Sequence, residues 1–370
     1  WKKAEFDAIV IEKDSGSGFV FFDKDFRPNF VDTTPLPSGS ESAVWRYRAM
    51  YMFKDEKDLS SINTYLTFIK YTLQNNGLFL NYINDEKQFT SQNYSENLED
   101  SNGRAIWALG YVCSLKGILP INLINQAENI LNHAIPNLIK FHSTRAMAFI
   151  IKGLYYQNNE ENISILRVFA DRLMQMYKHE KVKNWHWFET YLTYGNSLLP
   201  EAMLCAYLST HNQEYEKIAK ESFSFLLGKI FVGETIKVVS NKGWYIKDQK
   251  SETKIGGEQP IDVAYTIMAL EKFYLVYKDD DYRIKAKNAM NWFLGDNHLH
   301  QIVYNPCTGG CYDGIEEANV NLNQGAESTI SYFMAKLAIQ RLFNHSAVTN
   351  INTFKKLLPI KNTTFFYANL

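Results

Sequence analysis

The sequence predicts an all-α fold, an (α/α)6 toroid of six helical hairpins with small β-hairpin excursions in its long loops, and three observations predict it. Six times, roughly every 40 to 65 residues, a polar or acidic cluster leads straight into an apolar helix rich in small residues, near the period range of repeat architectures. Amphipathic helices alternate with these apolar ones. The connections are long on one side of each pair and short on the other.

The apolar segments are Ala43–Phe53 after Ser40-Glu41-Ser42, Gly103–Leu115 after Glu99-Asp100-Ser101, Thr144–Tyr155 after His142-Ser143, Leu198–Ser209 after Asn196-Ser197, Ile261–Tyr274 after Glu258-Gln259-Pro260, and Gly325–Leu342 after Asn323-Gln324. A helix apolar on nearly all sides must be packed on all sides, so these read as the inner ring. By contrast, Asp58–Gln74, Leu123–Lys140, Asn162–Lys178, Gln213–Lys229 and Asp281–Phe293 keep a charged face beside an apolar stripe at helical spacing, and read as outer partners. The sixth outer helix is expected from residues 1–15, from the tail beyond Asn344 or from an upstream segment. The expected organisation is an extension or linker over 1–35, one toroidal domain over 36–345 and a tail over 346–370 that packs into the outer ring.

Composition excludes several classes. A formal net charge of −1 over 370 residues leaves no basic stripe for nucleic acid or an anionic membrane. No apolar run reaches the about 18 residues that span a bilayer, so the chain reads as soluble. It opens on Trp1 without an apolar leader, which fits a trimmed signal peptide or a removed upstream domain; the location expected is cytoplasmic, with periplasmic as the alternative. Cys113 and Cys205 sit in apolar helices as buried thiols, and Cys307 and Cys311 lie in a turn without the histidines of a zinc set, so no metal is expected. No Gly-rich phosphate loop follows a predicted strand, and no cofactor is expected. The run Asp279-Asp280-Asp281 falls at the short-turn end of the hairpins and reads as solvated.

The long connections, 77–100, 180–195, 231–259 and 297–323, all precede inner helices, and loops of that length are usually functional. They concentrate aromatic rings with polar tips: Trp185, His186, Trp187 and Phe188 beside Glu189, then Trp244, then Tyr304 through Asp313. Such rings offer flat apolar platforms and hydrogen bonds together, which suits sugars. Carboxylates stand at the same end: Glu99 and Asp100, Glu189, Glu258 with Asp262 in the first turn, Asp313, and Glu327. Each alone is explained by helix capping, but their convergence on one mouth points to chemistry. In a six-membered ring the second and fifth inner helices are opposed, so Asp100 and Glu258 are expected to face each other. Acid and base about 6.5–9.5 Å apart admit a water for inversion. A helix terminus suits Asp100 as base, and a drier setting suits Glu258 as acid, with Glu189 the second candidate. Arg104, His142, Arg145, Tyr194, Asn196, Gln259, Asn323 and Gln324, with Glu99, Asp262, Asp313, Glu327 and the Trp185, Trp187 and Trp244 rings, are candidate substrate contacts.

The runs Leu98-Glu99-Asp100-Ser101-Asn102-Gly103-Arg104, Trp185-His186-Trp187-Phe188-Glu189, Gly257-Glu258-Gln259-Pro260 and Asn323-Gln324-Gly325-Ala326-Glu327-Ser328-Thr329 resemble a bacterial (α/α)6 domain of the six-hairpin glycosidase-like group, often fused to or labelled as a glycosyltransferase. The resemblance spans roughly residues 35 to 342. It departs at Ser40-Glu41-Ser42-Ala43 and at Tyr194-Gly195-Asn196-Ser197, where the family carries Asp-Asn-Ala-Arg type motifs. It implies an oligosaccharide or glycan partner and an upstream glycosyltransferase domain or subunit.

Three functions fit these observations. The leading one is an enzyme cleaving a glycosidic bond by acid/base catalysis with inversion, by hydrolysis or by phosphorolysis. The others are a glycan-binding accessory domain of a glycosyltransferase, and a sugar epimerase, for which His142 and His186 are the histidines placed to exchange protons. The leading reading predicts that Asp100→Asn abolishes turnover while oligosaccharide binding, measured by calorimetry, survives.

Overall fold

The computed structural model describes residues 56–249 and 255–344, together with three short strands nearer the N-terminus. The segment Ala43–Phe53 and the tail 346–370 lie outside the described residues. Within 1–35, β1 (Ile11–Glu12), β2 (Phe19–Phe22) and β3 (Pro28–Val31) pair antiparallel in chain order. Residues 11 and 12 are therefore extended, and 1–15 do not supply a continuous outer helix.

Ten α-helices follow among the described residues: α1 (Glu56–Thr72), α2 (Glu99–Ser114), α3 (Ile121–Leu138), α4 (Thr144–Gln157), α5 (Ile163–Glu180), α6 (Leu198–Thr210), α7 (Gln213–Ile230), α8 (Pro260–Tyr277), α9 (Asp280–Asn291) and α10 (Ala326–Asn344). None is long and apolar enough to cross a membrane. The alternation of apolar and amphipathic helices is as the sequence predicts, and the boundaries shift for local reasons. Helix α2 opens four residues before its apolar run, because Glu99 and Asp100 complement the helix dipole inside the first turn. Helix α8 opens on Pro260, whose fixed φ and missing N–H suit the first helical position. The long connections carry two-residue strand pairs: β4 (Tyr191–Leu192) with β7 (Tyr245–Ile246), β5 (Phe231–Val232) with β6 (Thr235–Ile236), and β8 (Gly314–Ile315) with β9 (Val320–Asn321).

The chain forms two compact units whose segments interleave in sequence. One holds Tyr65–Leu173 and Ala202–Lys217; the other holds Met174–Glu201, the described residues from Ile218 onward and those before Tyr65. In the first, α2 and α4 pack along their lengths, and α3 covers α2. Helix α4 is buried at every position from Thr144 to Tyr155, whereas α3 buries Leu123, Ala127, Ile130, Leu131, Ala134 and Leu138 on one stripe. That contrast separates inner from outer helices. Helices α2 and α4 approach so closely that a Cβ on Gly110 would collide with the Gly153 carbonyl, and one on Gly153 with the Ile106 carbonyl. Trp107 stacks on Phe149 beside this crossing, with the buried Lys152 ammonium 4.0 Å from the Trp107 ring centre.

In the second unit α8 is buried from Pro260 to Ile267 and packs against α9 and α10. At its C-terminal half the Glu271 carboxylate receives Arg341 of α10 in a two-pronged contact of 2.5 and 2.7 Å. Both units thus join buried helices through small residues or paired charges.

The Gly110 contact generates a test with an internal control. Gly110→Ala should destabilise the protein by about 1–3 kcal/mol in urea unfolding, as overpacking does. Gly228→Ala in α7, where an added Cβ meets nothing within 4 Å, should stabilise by roughly 0.5–1 kcal/mol.

Candidate functional site

Acidic residues gather at the starts of the buried helices, and Glu99, Asp262 and Asp313 are occupied in holding backbone amides. Glu99 Oε2 accepts the N–H groups of His142 and Ser143 at 2.8 and 2.6 Å, just ahead of α4. Beside it Asp100 Oδ1 accepts the Ser143 hydroxyl at 2.5 Å, and Ser143 Oγ in turn caps α4 through the Ala146 N–H. Arg145, itself buried, donates to Thr144 Oγ1 at 2.7 Å, and the Arg104 guanidinium lies 5.1 Å from the Phe149 ring centre. Glu99, Asp100, Arg104, His142 and Arg145 are thereby brought to the paired starts of α2 and α4.

The other unit repeats this device twice. Asp262, in the first turn of α8, accepts the Gly195 N–H at 2.6 Å, and Asn196 folds back on Thr193 through bonds of 3.1 and 2.8 Å. Tyr194, between them, is exposed. Asp313 accepts the Gly325 N–H and the Ser328 hydroxyl at 2.8 and 2.7 Å, with Asn323 also donating to it, and so caps α10 from a distant loop. Gln324 Oε1 accepts the Thr308 hydroxyl at 2.8 Å, and Glu327 stands exposed in the first turn of α10.

Glu258 has a different environment. Its side chain is 2 % exposed, Oε2 accepts the Trp292 indole N–H at 2.9 Å, and Oε1 lies 3.3 Å from His298 Nδ1. Burial raises its pKa above the usual carboxylate range, against the opposing pull of the Trp292 hydrogen bond, His298 and Lys237. The backbone of the same residue is clamped. Glu258 exchanges both amide bonds with Ile315 of β8 at 3.1 and 3.0 Å, and the preceding Gly257 carbonyl accepts the Asn241 N–H at 2.9 Å. Gly256 and Gly257 both adopt positive φ, and a Cβ on either would strike the 316–317 backbone or the Ser240 and Asn241 side chains. Gln259 follows as the extended residue before α8.

The aromatic-rich loop packs largely inward. Trp187 is fully buried against Phe188, and Trp185 is buried with its ring edge on Phe225 and its indole N–H donating to the Glu189 carbonyl at 2.7 Å. Glu189 is half-buried beside them. His186 stacks on Phe225 and bonds within its own turn to the Lys183 carbonyl at 3.2 Å. The indole presented to solvent is Trp244, 52 % exposed, with its ring centre 5.3 Å from that of Tyr191 on the β4–β7 pair.

Of the candidate catalytic carboxylates, Glu189 and Glu258 belong to one unit and Asp100 to the other. Three residues around Glu258 escaped the sequence reading: Trp292, His298 and Glu316. Trp292 directly follows α9, whose sequence reads only as an outer partner. His298 sits in a connection with no helical or alternating pattern, and a histidine within a long loop ahead of an inner helix was its one signal. All four cysteines are free, and no cluster of three or more His, Cys, Asp or Glu side chains able to hold a metal occurs among the described residues.

No protein-family model matches the chain, and no curated protein matches it. Solved structures do. The chain is similar to a D-mannose isomerase at 17 % identity, with a TM-score of 0.55 over 83 % of this chain and 85 % of that one. It is also similar to a sugar epimerase from a ruminal bacterium, at 12 % identity and TM-score 0.53 over 79 % and 86 % of the two chains. An unsaturated glucuronyl hydrolase from Streptococcus agalactiae matches at 14 % identity and TM-score 0.52 over 87 % and 79 %. These similarities establish the six-hairpin, (α/α)6 fold.

The trans caps carry a stability prediction. Removing an acceptor that serves two amides leaves both without their partner, so Glu99→Ala should lower unfolding free energy by about 1–3 kcal/mol in urea titration. Asp313→Ala should act in the same direction.

Proposed function

We propose that this protein is a carbohydrate-active enzyme that cleaves a glycosidic bond by acid/base catalysis, with Glu258 as the proton donor. One observation carries the reading: Glu258, buried just ahead of α8, meets an indole N–H and an imidazole, whereas Glu99, Asp262 and Asp313 accept backbone amides. A general acid must still hold its proton near the working pH, and burial provides that. The exposed Trp244 ring, beside the half-buried Tyr191 ring, supplies a platform of the kind sugars stack on. The fold is shared with a glucuronyl hydrolase, a fact about architecture that is compatible with this chemistry. On family resemblance alone, the proposed partner beyond the glycan is a glycosyltransferase domain or subunit, and the proposed compartment is the cytoplasm.

A second reading, sugar epimerisation or isomerisation, is favoured by one contact, the His298 imidazole against the Glu258 carboxyl. Such a pair can exchange a proton with a carbon beside a carbonyl. Solvent-deuterium incorporation into a free sugar, without bond cleavage, would select it.

The test is a panel of manno- and gluco-oligosaccharides, with and without phosphate, with products separated by chromatography. Glu258→Gln should lower kcat/KM about 10²–10⁴-fold while calorimetric binding of the same oligosaccharide persists. Because the acid works protonated and its pKa is raised, wild-type activity should persist above the ordinary glutamate value of about 4.3 and fall as pH climbs through the folded-state value. Full turnover by Glu258→Gln would reject the assignment. Asp100→Asn and Glu189→Gln in the same panel identify the base.

A further inference from the structure

The surroundings of Glu258 fix where its proton sits. His298 Nε2 lies 2.8 Å from the Glu316 carbonyl oxygen, which can only accept, so Nε2 carries a hydrogen. In a neutral ring Nδ1 is then a bare lone pair aimed at Glu258 Oε1, 3.3 Å away. A carboxylate facing a lone pair is repelled. The contact is favourable only with a proton in it, either on Oε1 or on Nδ1. Oε2 is already engaged by the Trp292 N–H. The carbonyl that sets the tautomer is itself anchored: Glu316 follows Ile315, which pairs with Glu258, and the Glu316 carboxylate forms an ion pair with Lys242.

Exposure within the pair is unequal. The Glu258 side chain is 2 % exposed and that of His298 is 23 % exposed, so the imidazole is the pair's access to water.

We propose that His298 is a positioning residue that keeps the Glu258 proton on Oε1 and reloads the acid from solvent after each transfer. The proposal rests on the reading of Glu258 as the acid. When Oε1 gives its proton to the departing sugar oxygen, the O–H bond breaks and its electron pair stays on the carboxylate. That carboxylate then faces the Nδ1 lone pair, and a proton from solvent water binds Nδ1 to give an imidazolium–carboxylate pair, leaving hydroxide to the medium. Shift of the Nδ1 proton to Oε1 restores the starting state. One proton leaves for the product and one enters from water. The other charge acting on Glu258 is Lys237; the nearby Glu316 carboxylate is paired with Lys242.

The test uses the full chain labelled with ¹⁵N-histidine and ¹³C-glutamate, with His298 and Glu258 resonances assigned by their loss in His298→Gln and Glu258→Gln. The neutral His298 ring should show the Nε2–H tautomer. In His298→Gln the pH at which the Glu258 carboxyl titrates should differ from wild type, because the neighbour that shares its proton is gone. On any oligosaccharide that wild type cleaves, His298→Gln should lower kcat about tenfold or more with little change in KM, and added imidazole should restore part of it. An Nδ1–H tautomer, or a Glu258 titration indifferent to His298→Gln, overturns the proposal; the tautomer is read on wild type and does not depend on a variant folding. Full activity of Glu258→Gln alongside an Nε2–H tautomer overturns the acid reading instead.

Discussion

The structure depends on how the first amides of buried helices are satisfied. A helix leaves its opening N–H groups without internal partners, and a helix packed on every side cannot hand them to water. Here carboxylates from neighbouring segments accept them: Glu99 for the chain ahead of α4, Asp262 for the loop ahead of α6, and Asp313 for α10. Each carboxylate also gains from the positive end of the helix it serves. The acids therefore collect at the helix starts for a structural reason that precedes any chemistry.

Against that background Glu258 stands apart. Its neighbours give it a dry pocket, an indole donor and an imidazole, and no backbone amide. Glycines line its main chain: a Cβ on Gly256 would strike the 316–317 backbone, one on Gly314 the Glu258 carbonyl, and one on Gly257 the Ser240 and Asn241 side chains. Where Glu99, Asp262 and Asp313 serve as staples, the Glu258 carboxyl meets side-chain groups, and the proposed proton transfer rests on that difference.

Much of the fold was legible because burial writes itself into sequence. The runs Thr144–Tyr155 and Ile261–Tyr274 are predominantly apolar, and both are buried over most of their length; Ser143 caps one and Pro260 opens the other. The site was legible only in part. Acid positions at Glu99, Asp262 and Asp313 were visible, but a cap in trans and a catalytic carboxylate leave the same residue type at the same place. Trp185 and Trp187 looked like platforms because composition does not say which way a ring points; both turn inward, while Trp244 faces solvent. His298 was invisible because its role comes from β8 and α9 meeting Glu258, a contact that no local pattern encodes.

The glycine cradle has an evolutionary corollary. Backbone bonds to Ile315 and Asn241 hold the Glu258 segment, and Gly256 and Gly314 admit the 316–317 backbone and the Glu258 carbonyl where a Cβ would collide. Residues such as Trp244, on the neighbouring strand pair, can therefore be exchanged without displacing the acid. On the proposed reading, selectivity can drift across generations while the proton donor stays fixed.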